Sequence, residues 1–444
     1  MTFLRRHRVS ILIYLVSLAA FLAASGGRLR KPSTDNHYVW LADAMLHGRL
    51  ALDRKPPHEN DWARVETVEL RDGRTLRGAT LRTAPDRFRT QSGHVVTVRD
   101  EDVKRRDFRY YVSFPPFPAL LLLPFVALFR FRTNDVLFTV VLAALNPVLI
   151  HALLARLRPR SGRGESDNLW LTLLFAFGTV NFYASVLGQV WYTAHVVGVA
   201  LACLFLLAAL DARRPLAAGL CVGLGFVTRT PLLFLFPFFV FEAWRVVRDF
   251  RDLARRLALF AAPVAAIGLA MAWANYARFG DPFEFGHYYL NVKWTERIQR
   301  WGLFNVHFLS RNLAAALVLL PKFLAKYPWV KVSWHGLSLL LTTPVFAYLL
   351  WPRRKGPLHG SLWLTVAAVA VPSLLYQNSG WVQFGYRFSL DWTPMWIALL
   401  ALGGRPIGAL MKLLILWSVA VNLFGAITFG RYGQFYWDGL LPVG

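Results

Sequence analysis

Apolar runs close to the length of a bilayer crossing recur from one end of the chain to the other, separated by short polar loops. A helix rises 1.5 Å per residue, so about 20 apolar residues cross a hydrocarbon layer of about 30 Å. On that measure the pattern predicts spans at Val9–Ala24, Asn134–Ala155, Leu169–Leu187, Ala194–Leu210, Leu216–Val227, Pro231–Val246, Leu257–Tyr276, Leu337–Trp351, Ser361–Tyr376, Trp392–Leu402 and Ile407–Phe429. The expected fold class is an all-α polytopic membrane protein. It has about eleven transmembrane helices, within a range of ten to thirteen, plus juxtamembrane helices.

Two stretches of the first long loop depart from this pattern. Tyr38, Leu41, Ala42, Met45 and Leu46 recur at helical spacing just after Asp35, and Gly48 offers a stop, which predicts a short helix lying on the membrane. From Ala63 to Val103 the period shortens. Val65 to Leu70 alternates, Asp72-Gly73 is a hairpin signal, Thr75 to Gly78 follows, and His94 to Val98 reads as another strand. This is a small β-rich external insert, loosely similar to SH3-like or Sm-like barrels. About 40 residues bury little core alone, so it is expected to rest on the helices. The domain reading is 1–62 for the first transmembrane and juxtamembrane helices, 63–103 for the insert, and 104–444 for the polytopic catalytic domain.

Topology turns on whether Phe114–Phe129 crosses. Its Pro115, Pro116, Pro118 and Pro124 suit a broken interfacial helix. If it does not cross, the short basic loops fall on one side: Arg5, Arg6 and Arg8; Arg156, Arg158, Arg160 and Arg163; Arg213 and Arg214; Arg245 to Arg256; Arg353, Arg354 and Lys355. The positive-inside rule favours that arrangement. The amino end is then cytoplasmic, and three long loops (about Ser25–Thr133, Asn275–Gly336 and Gln377–Asp391) face the exterior or periplasm.

Composition agrees. The 444 residues are 56% hydrophobic and 15% aromatic, with a mean hydropathy of +0.39. The net charge of +25 lies mostly in loops, where orientation and anionic lipid account for it, so nucleic acid is excluded as a partner. Cys203 and Cys221 sit inside apolar runs as packing residues. No zinc-spaced Cys/His cluster or phosphate-binding glycine loop is present, so no cofactor is expected; the need for a divalent metal stays open. Arg5 to Arg8 before Val9–Ala24 resembles a signal peptide, but the many later spans favour an uncleaved anchor in the inner (plasma) membrane.

The predicted outer side gathers the candidate chemistry: Asp35 and His37; Gln189, Trp191, Tyr192 and His195; Glu284, His287, Tyr288, Lys293 and Glu296; and Tyr386, Arg387 and Asp391. The tryptophans Trp191, Trp294, Trp381 and Trp392 read as headgroup belts rather than sugar platforms, and Asp43, eight residues after Asp35, reads as a solvated helix charge. Arg229 stands between two apolar runs with no other charge nearby in sequence. A mid-helix arginine costs about 2.5–3.5 kcal/mol on insertion scales, so it faces a cavity or an anionic partner unless it snorkels to the interface. Arg387 has the same two readings. A phosphate suits both guanidinium groups.

With these residues placed, the chain resembles the glycosyltransferase C superfamily. It looks most like the bacterial branch that includes protein O-mannosyltransferases and the lipid A aminoarabinose transferase. The resemblance is carried by Asp35 followed by Tyr38, Leu41, Ala42 and Gly48; by Phe114-Pro115-Pro116-Phe117-Pro118; by Gly219, Gly223 and Gly225 leading to Thr228-Arg229; by Asn275 to Gly286; and by Gly385-Tyr386-Arg387-Phe388 with Pro394. The chain has Asp35-Asn36 where those enzymes often carry Asp-Glu.

The resemblance implies a polyprenyl-phosphate sugar as donor and a lipid, glycan or protein as acceptor in the cell envelope. It makes Asp35 the general base. Arg229, Arg387, His37, Tyr192, His195, His287 and Tyr386 are the substrate-binding candidates. The competing readings are a transporter or flippase of a lipid-linked glycan, and a ligase or polymerase using a lipid-diphosphate glycan. A transporter should show two related halves with paired broken helices, and the sequence shows no such repeat.

Overall fold

The first helix, α1 (Thr2–Ser25), ends in a single 3₁₀ turn and gives way to α2 (His37–Leu46), the short helix expected after Asp35. The computed structural model describes residues 2–81, 84–290, 292 and 294–439, the first five of these by backbone alone. Lys293 and the side chains of Arg5 and Arg6 lie outside the described residues.

Five antiparallel strands follow: β1 (Trp62–Leu70), β2 (Thr75–Leu81), β3 (Ala84–Thr90), β4 (Val95–Thr97) and β5 (Val103–Val112), in the order β4-β3-β2-β1-β5. The Asp72-Gly73 turn falls where the pattern put it, with Gly73 at φ +88° and its N–H donating to the Leu70 carbonyl. Two strands were not legible. β5 runs nine residues past the expected end of the insert because its Lys, Arg and Asp residues face outward while its backbone pairs along β1. The sheet is single, and no β4–β5 pairing closes it into a barrel among the described residues.

The remaining helices are α3 (Phe117–Phe129), α4 (Asp135–Ala143), α5 (Leu145–Ser161), α6 (Glu165–Phe177), α7 (Asn181–Ser185), α8 (Val190–Ala209), α9 (Pro215–Phe226), α10 (Phe236–Val246), α11 (Phe250–Phe279), α12 (Thr295–Trp301), α13 (Leu309–Leu313), α14 (Leu339–Thr342), α15 (Leu358–Leu375), α16 (Thr393–Leu402) and α17 (Ala409–Thr428). A hairpin of β6 (Lys322–Phe323) and β7 (Val330–Ser333) pairs with β8 (Tyr436–Trp437).

Six helical stretches are long and apolar enough to cross a membrane among the described residues: His7–Arg30, Asp135–Ser161, Val190–Ala212, Phe250–Phe279, Leu358–Leu375 and Ala409–Thr428. The other predicted spans are shorter or broken. Leu169–Leu187 divides into α6 and α7 around Gly178. Pro231–Val246 begins as a 3₁₀ turn, and Leu337–Trp351 is a single α-turn followed by 3₁₀ helix from Pro344. Prolines and a glycine punctuate each break.

Helix α3 has 13 residues with Pro124 inside, or about 20 Å at 1.5 Å per residue, too short for a simple crossing. It packs beside α2 and α8 through Tyr38, Leu122, Val126 and Val190. Its Pro-rich start is tied to the end of α9 by a hydrogen bond from the Phe117 N–H to the Val227 carbonyl, at 2.9 Å.

Glycines set the α9–α11 contact. A Cβ on Gly219 would lie 2.0 Å from the Phe260 carbonyl oxygen, and one on Gly223 would lie 2.7 Å from Ile267 Cδ1. Small residues four apart let membrane helices approach this closely, and Arg229, just past the end of α9, meets Asp391 of the loop before α16. The insert rests on the helical domain through Ala63, Val65, Tyr111, Phe279 and Tyr289, and keeps its own small core of Val68, Leu70, Phe88 and Val98.

Candidate active site

Asp35 sits just before α2 and is 8% exposed. Its carboxylate accepts hydrogen bonds from Thr34 Oγ1 at 2.8 Å, Asn60 Nδ2 at 3.1 Å and Gln189 Nε2 at 3.4 Å, and His58 Nε2 stands 3.8 Å away. The Asp35 carbonyl accepts the Val190 N–H at 3.0 Å, which fixes the residue against the start of α8. Three separate segments therefore hold one carboxylate.

His37 is fully buried, stacked on Trp62 with ring centroids 3.8 Å apart. Its Nε2 lies 3.0 Å from the Asn60 carbonyl, so that nitrogen must carry a proton and donate. Burial pulls its pKa down to about 4, which keeps the ring neutral. His37 therefore supports the loop that carries Asn60.

That loop also delivers Asp61, which sequence reasoning missed. Asp61 Oδ2 accepts the Trp191 indole N–H at 3.2 Å, and its carbonyl accepts from Ser113 Oγ at 3.1 Å. Burial pushes the Asp61 carboxyl up to about 6; the Trp191 hydrogen bond and the Arg387 charge oppose this, while the Asp35 charge adds to it. Asp61 adopts φ +56°, uncommon for a non-glycine residue. The one available signal was its place just before the first strand of the insert.

Arg387 is 5% exposed and ion-pairs with no carboxylate among the described residues. Its Nε is buried without a hydrogen-bond partner there. The guanidinium carbon lies 5.7, 5.4 and 5.6 Å from the ring centres of Trp191, Tyr192 and Phe388. Such a cation is costly unless an anion arrives.

Arg229 lies 5.5 Å from the same Phe388 ring, but its situation differs. It forms a bidentate pair with Asp391, and His195 Nδ1 stands 3.5 Å from Asp391 Oδ1. The isolation seen in sequence is thus removed in space, because the partner comes from the third long loop. Tyr386 is fully buried beside Phe388, with no partner for its hydroxyl among the described residues. His287 lies farther along, 6.4 Å from the Tyr376 ring, and burial lowers its pKa to about 4.

Three expectations need correction. Trp191 and Trp392 are not simple headgroup belts. Trp191 bonds Asp61, and Trp392 is buried at 3% exposure in the helical core. Asp43 is not a solvated helix charge, since it is buried and faces Arg130 at 3.4 Å and Arg49 at 3.8 Å. Glu284 caps its own turn by accepting the Gly286 N–H at 2.5 Å. Among the described residues, no cluster of three or more His, Cys, Asp or Glu side chains is placed to hold a metal ion.

A sequence model of glycosyltransferase family 87 matches residues 111–377, more than half of the chain. The chain belongs to glycosyltransferase family 87. It is a membrane glycosyltransferase, in agreement with the resemblance read from its motifs. No curated protein matches it. Among solved structures, the crystal structure of the Archaeoglobus fulgidus oligosaccharyltransferase in its apo form is similar over 98% of this chain, at 14% identity and a TM-score of 0.45. This chain covers 56% of that protein. The family match takes in the Pro-rich start of α3, Tyr192, His195, Arg229 and His287. Asp35, Asp61, Tyr386 and Arg387 lie outside it.

Proposed function

We propose that this family 87 enzyme transfers a hexosyl or pentosyl unit from a polyprenyl-phosphate donor to an acceptor at the external or periplasmic face of the inner (plasma) membrane. The observation that carries the reading is the buried Arg387 guanidinium, without a carboxylate partner of its own, beside two carboxylates from the first outer loop. A phosphate ester on the donor would supply the missing anion, bound by charge-assisted hydrogen bonds.

The step balances with these groups. An acceptor hydroxyl oxygen attacks the sugar's anomeric carbon, the bond from that carbon to the phosphate oxygen breaks, and the hydroxyl proton passes to Asp35. The leaving phosphate keeps the electron pair, and Arg387 stabilises its charge in a site shielded from water. Arg229, also beside Phe388, adds positive potential while remaining paired to Asp391. Apolar surfaces of the surrounding helices suit an isoprenoid tail, and the one-sided basic loops support a cytoplasmic amino end.

The direct test incubates purified protein with a labelled polyprenyl-phosphate sugar and follows release of polyprenyl phosphate. Time-dependent release supports the reading. Intact donor in every acceptor extract tested would return the chain to the flippase or lipid-diphosphate ligase readings.

A further inference from the structure

A cleft away from Asp35 is formed by the insert. It runs between the β insert and the loop that follows α11 and is open to solvent. Strands β1 to β3 form one wall, including Arg64, Thr80 and Arg89; the other includes Phe279, Asp281 and Tyr288. We infer that this cleft is the acceptor subsite of the transferase and binds a neutral oligosaccharide. The inference rests on the glycosyl-transfer reading above and gives the insert a purpose.

The lining points to the ligand class. Arg64 and Arg89 are set against the carboxylates of Glu66, Asp281 and Glu284, so the cleft presents both signs of charge. Glu66 is further neutralised within the sheet, by Arg64 at 3.3 Å and Arg106 at 3.7 Å, and it accepts from Thr80 Oγ1 at 2.8 Å. Mixed donors and acceptors suit hydroxyl groups, each of which both donates and accepts. The aromatic surface comes from Tyr288, which is partly exposed and offers a ring for a sugar, with the buried Phe279–Tyr289 stack behind it. Arg89 lies 4.2 Å over the Tyr288 ring and fixes it as a wall.

The position fits an acceptor. Strand β1 leads directly from the Asp61 loop into the cleft, and Arg64 is three residues beyond Asp61, about 10 Å at the usual strand rise. On this inference a glycan seated in the cleft extends past the Ala63–Leu290 seam to bring its terminal hydroxyl toward Asp61 and Asp35. The wall is fastened at that end: Ala63 bridges to Leu290, and a Cβ on Gly286 would lie 3.1 Å from Ala63 Cβ and 2.9 Å from Phe279 Cζ. Gly286, at φ +96°, lets the loop close on the insert.

The test uses full-length protein in lipid nanodiscs and saturation-transfer NMR with maltotriose, cellotriose, α-mannotriose, chitotriose and the acidic trigalacturonate. Transfer to at least one neutral trisaccharide is expected. Its affinity should fall about tenfold or more in both Tyr288→Ala and Arg89→Ala, the scale of one lost ring contact or hydrogen bond. Arg89 is partly exposed, so its truncation preserves the fold even if Tyr288→Ala does not.

No transfer to any neutral trisaccharide, equal transfer in both folded variants, or preference for trigalacturonate would overturn the inference. The dodecyl glycoside of the best-bound neutral trisaccharide is measured beside it: a stronger signal than for the free sugar assigns the glycan to a lipid-linked acceptor, and an equal signal to a soluble one. Binding needs no donor. Protein that releases polyprenyl phosphate yet binds none of these sugars therefore sinks the cleft alone.

Discussion

Arg229 holds Asp391 through two parallel hydrogen bonds, Nε to Oδ1 at 2.6 Å and Nη2 to Oδ2 at 2.7 Å. Asp391 is 1% exposed, so the pair is buried and each partner depends on the other. Arg229→Leu leaves an uncompensated buried carboxylate, and the expected cost is about 3–5 kcal/mol. The double variant Arg229→Met, Asp391→Leu should recover most of that stability, since a buried pair gains little over apolar packing. Denaturation of the purified variants checks both statements. A single variant as stable as the wild type would deny the pair its structural role.

Arg387 behaves in the opposite way. Its removal takes out a buried cation without a carboxylate partner, so Arg387→Leu should leave the melting temperature near that of the wild type. Donor binding should weaken by about 10- to 150-fold, the equivalent of about 1.5–3 kcal/mol for hydrogen bonds to a charged group. Isothermal titration with a polyprenyl-phosphate sugar measures it. Unchanged affinity in a folded Arg387→Leu protein would remove the phosphate from this position.

Orientation can be read by cysteine labelling. On the proposed orientation, with a 13-residue α3 that does not cross, residues 160 and 251 are expected in the cytoplasm and residue 72, at the tip of the insert, outside. Arg160→Cys and Arg251→Cys should react only after permeabilisation, whereas Asp72→Cys should react in intact cells. Labelling of positions 72 and 160 from the same side would require another topology.

The readable and unreadable parts of this chain divide on physical lines. α1, α8, α11, α15 and α17 were visible because lipid demands long apolar runs with satisfied backbone, and that demand is local. The Leu169–Leu187 and Leu337–Trp351 runs looked alike in composition but fold as broken helices, since a buried protein interior accepts the same residues as lipid. β5 was hidden because a strand with one charged face reads as a loop. In the candidate site, Asp35 stood out in the sequence through its place before α2. The Arg229–Asp391 contact joins residues 162 apart, and the Asp61–Trp191 contact joins residues 130 apart. No local pattern records either, so Arg229 looked isolated and Asp61 was passed over.

On the proposed mechanism Asp35 takes the acceptor proton. Asp35→Asn keeps the size of the side chain but removes the oxygen that takes the acceptor proton. Turnover should fall by about 10²-fold or more, the usual scale for losing a general base. Donor affinity should change little, because Arg387 supplies that contact. Asp43→Asn should instead cost stability, since Arg130 and Arg49 lose a buried partner. Near-normal turnover in Asp35→Asn would refute the assignment.

Asp61 should make donor binding depend on pH. Burial raises its pKa to about 6, so the folded protein retains the Asp61 proton until pH nears that value. A raised carboxyl pKa favours the neutral form, and the linked stability, complete at low pH, is lost as pH rises through about 6. Above that point a carboxylate stands in the field of Arg387 and offsets part of its charge. A sugar phosphodiester does not titrate in this range, so donor affinity should fall as pH rises through about 6. By reciprocity, bound donor should raise the Asp61 pKa, since a second anion opposes ionisation. Asp61→Asn should remove the step and hold the tighter, low-pH affinity throughout. Donor titrations from about pH 5 to pH 7.5 distinguish the cases. A pH step that survives in Asp61→Asn would have to come from another group, and Asp61 would then be only a support for Trp191.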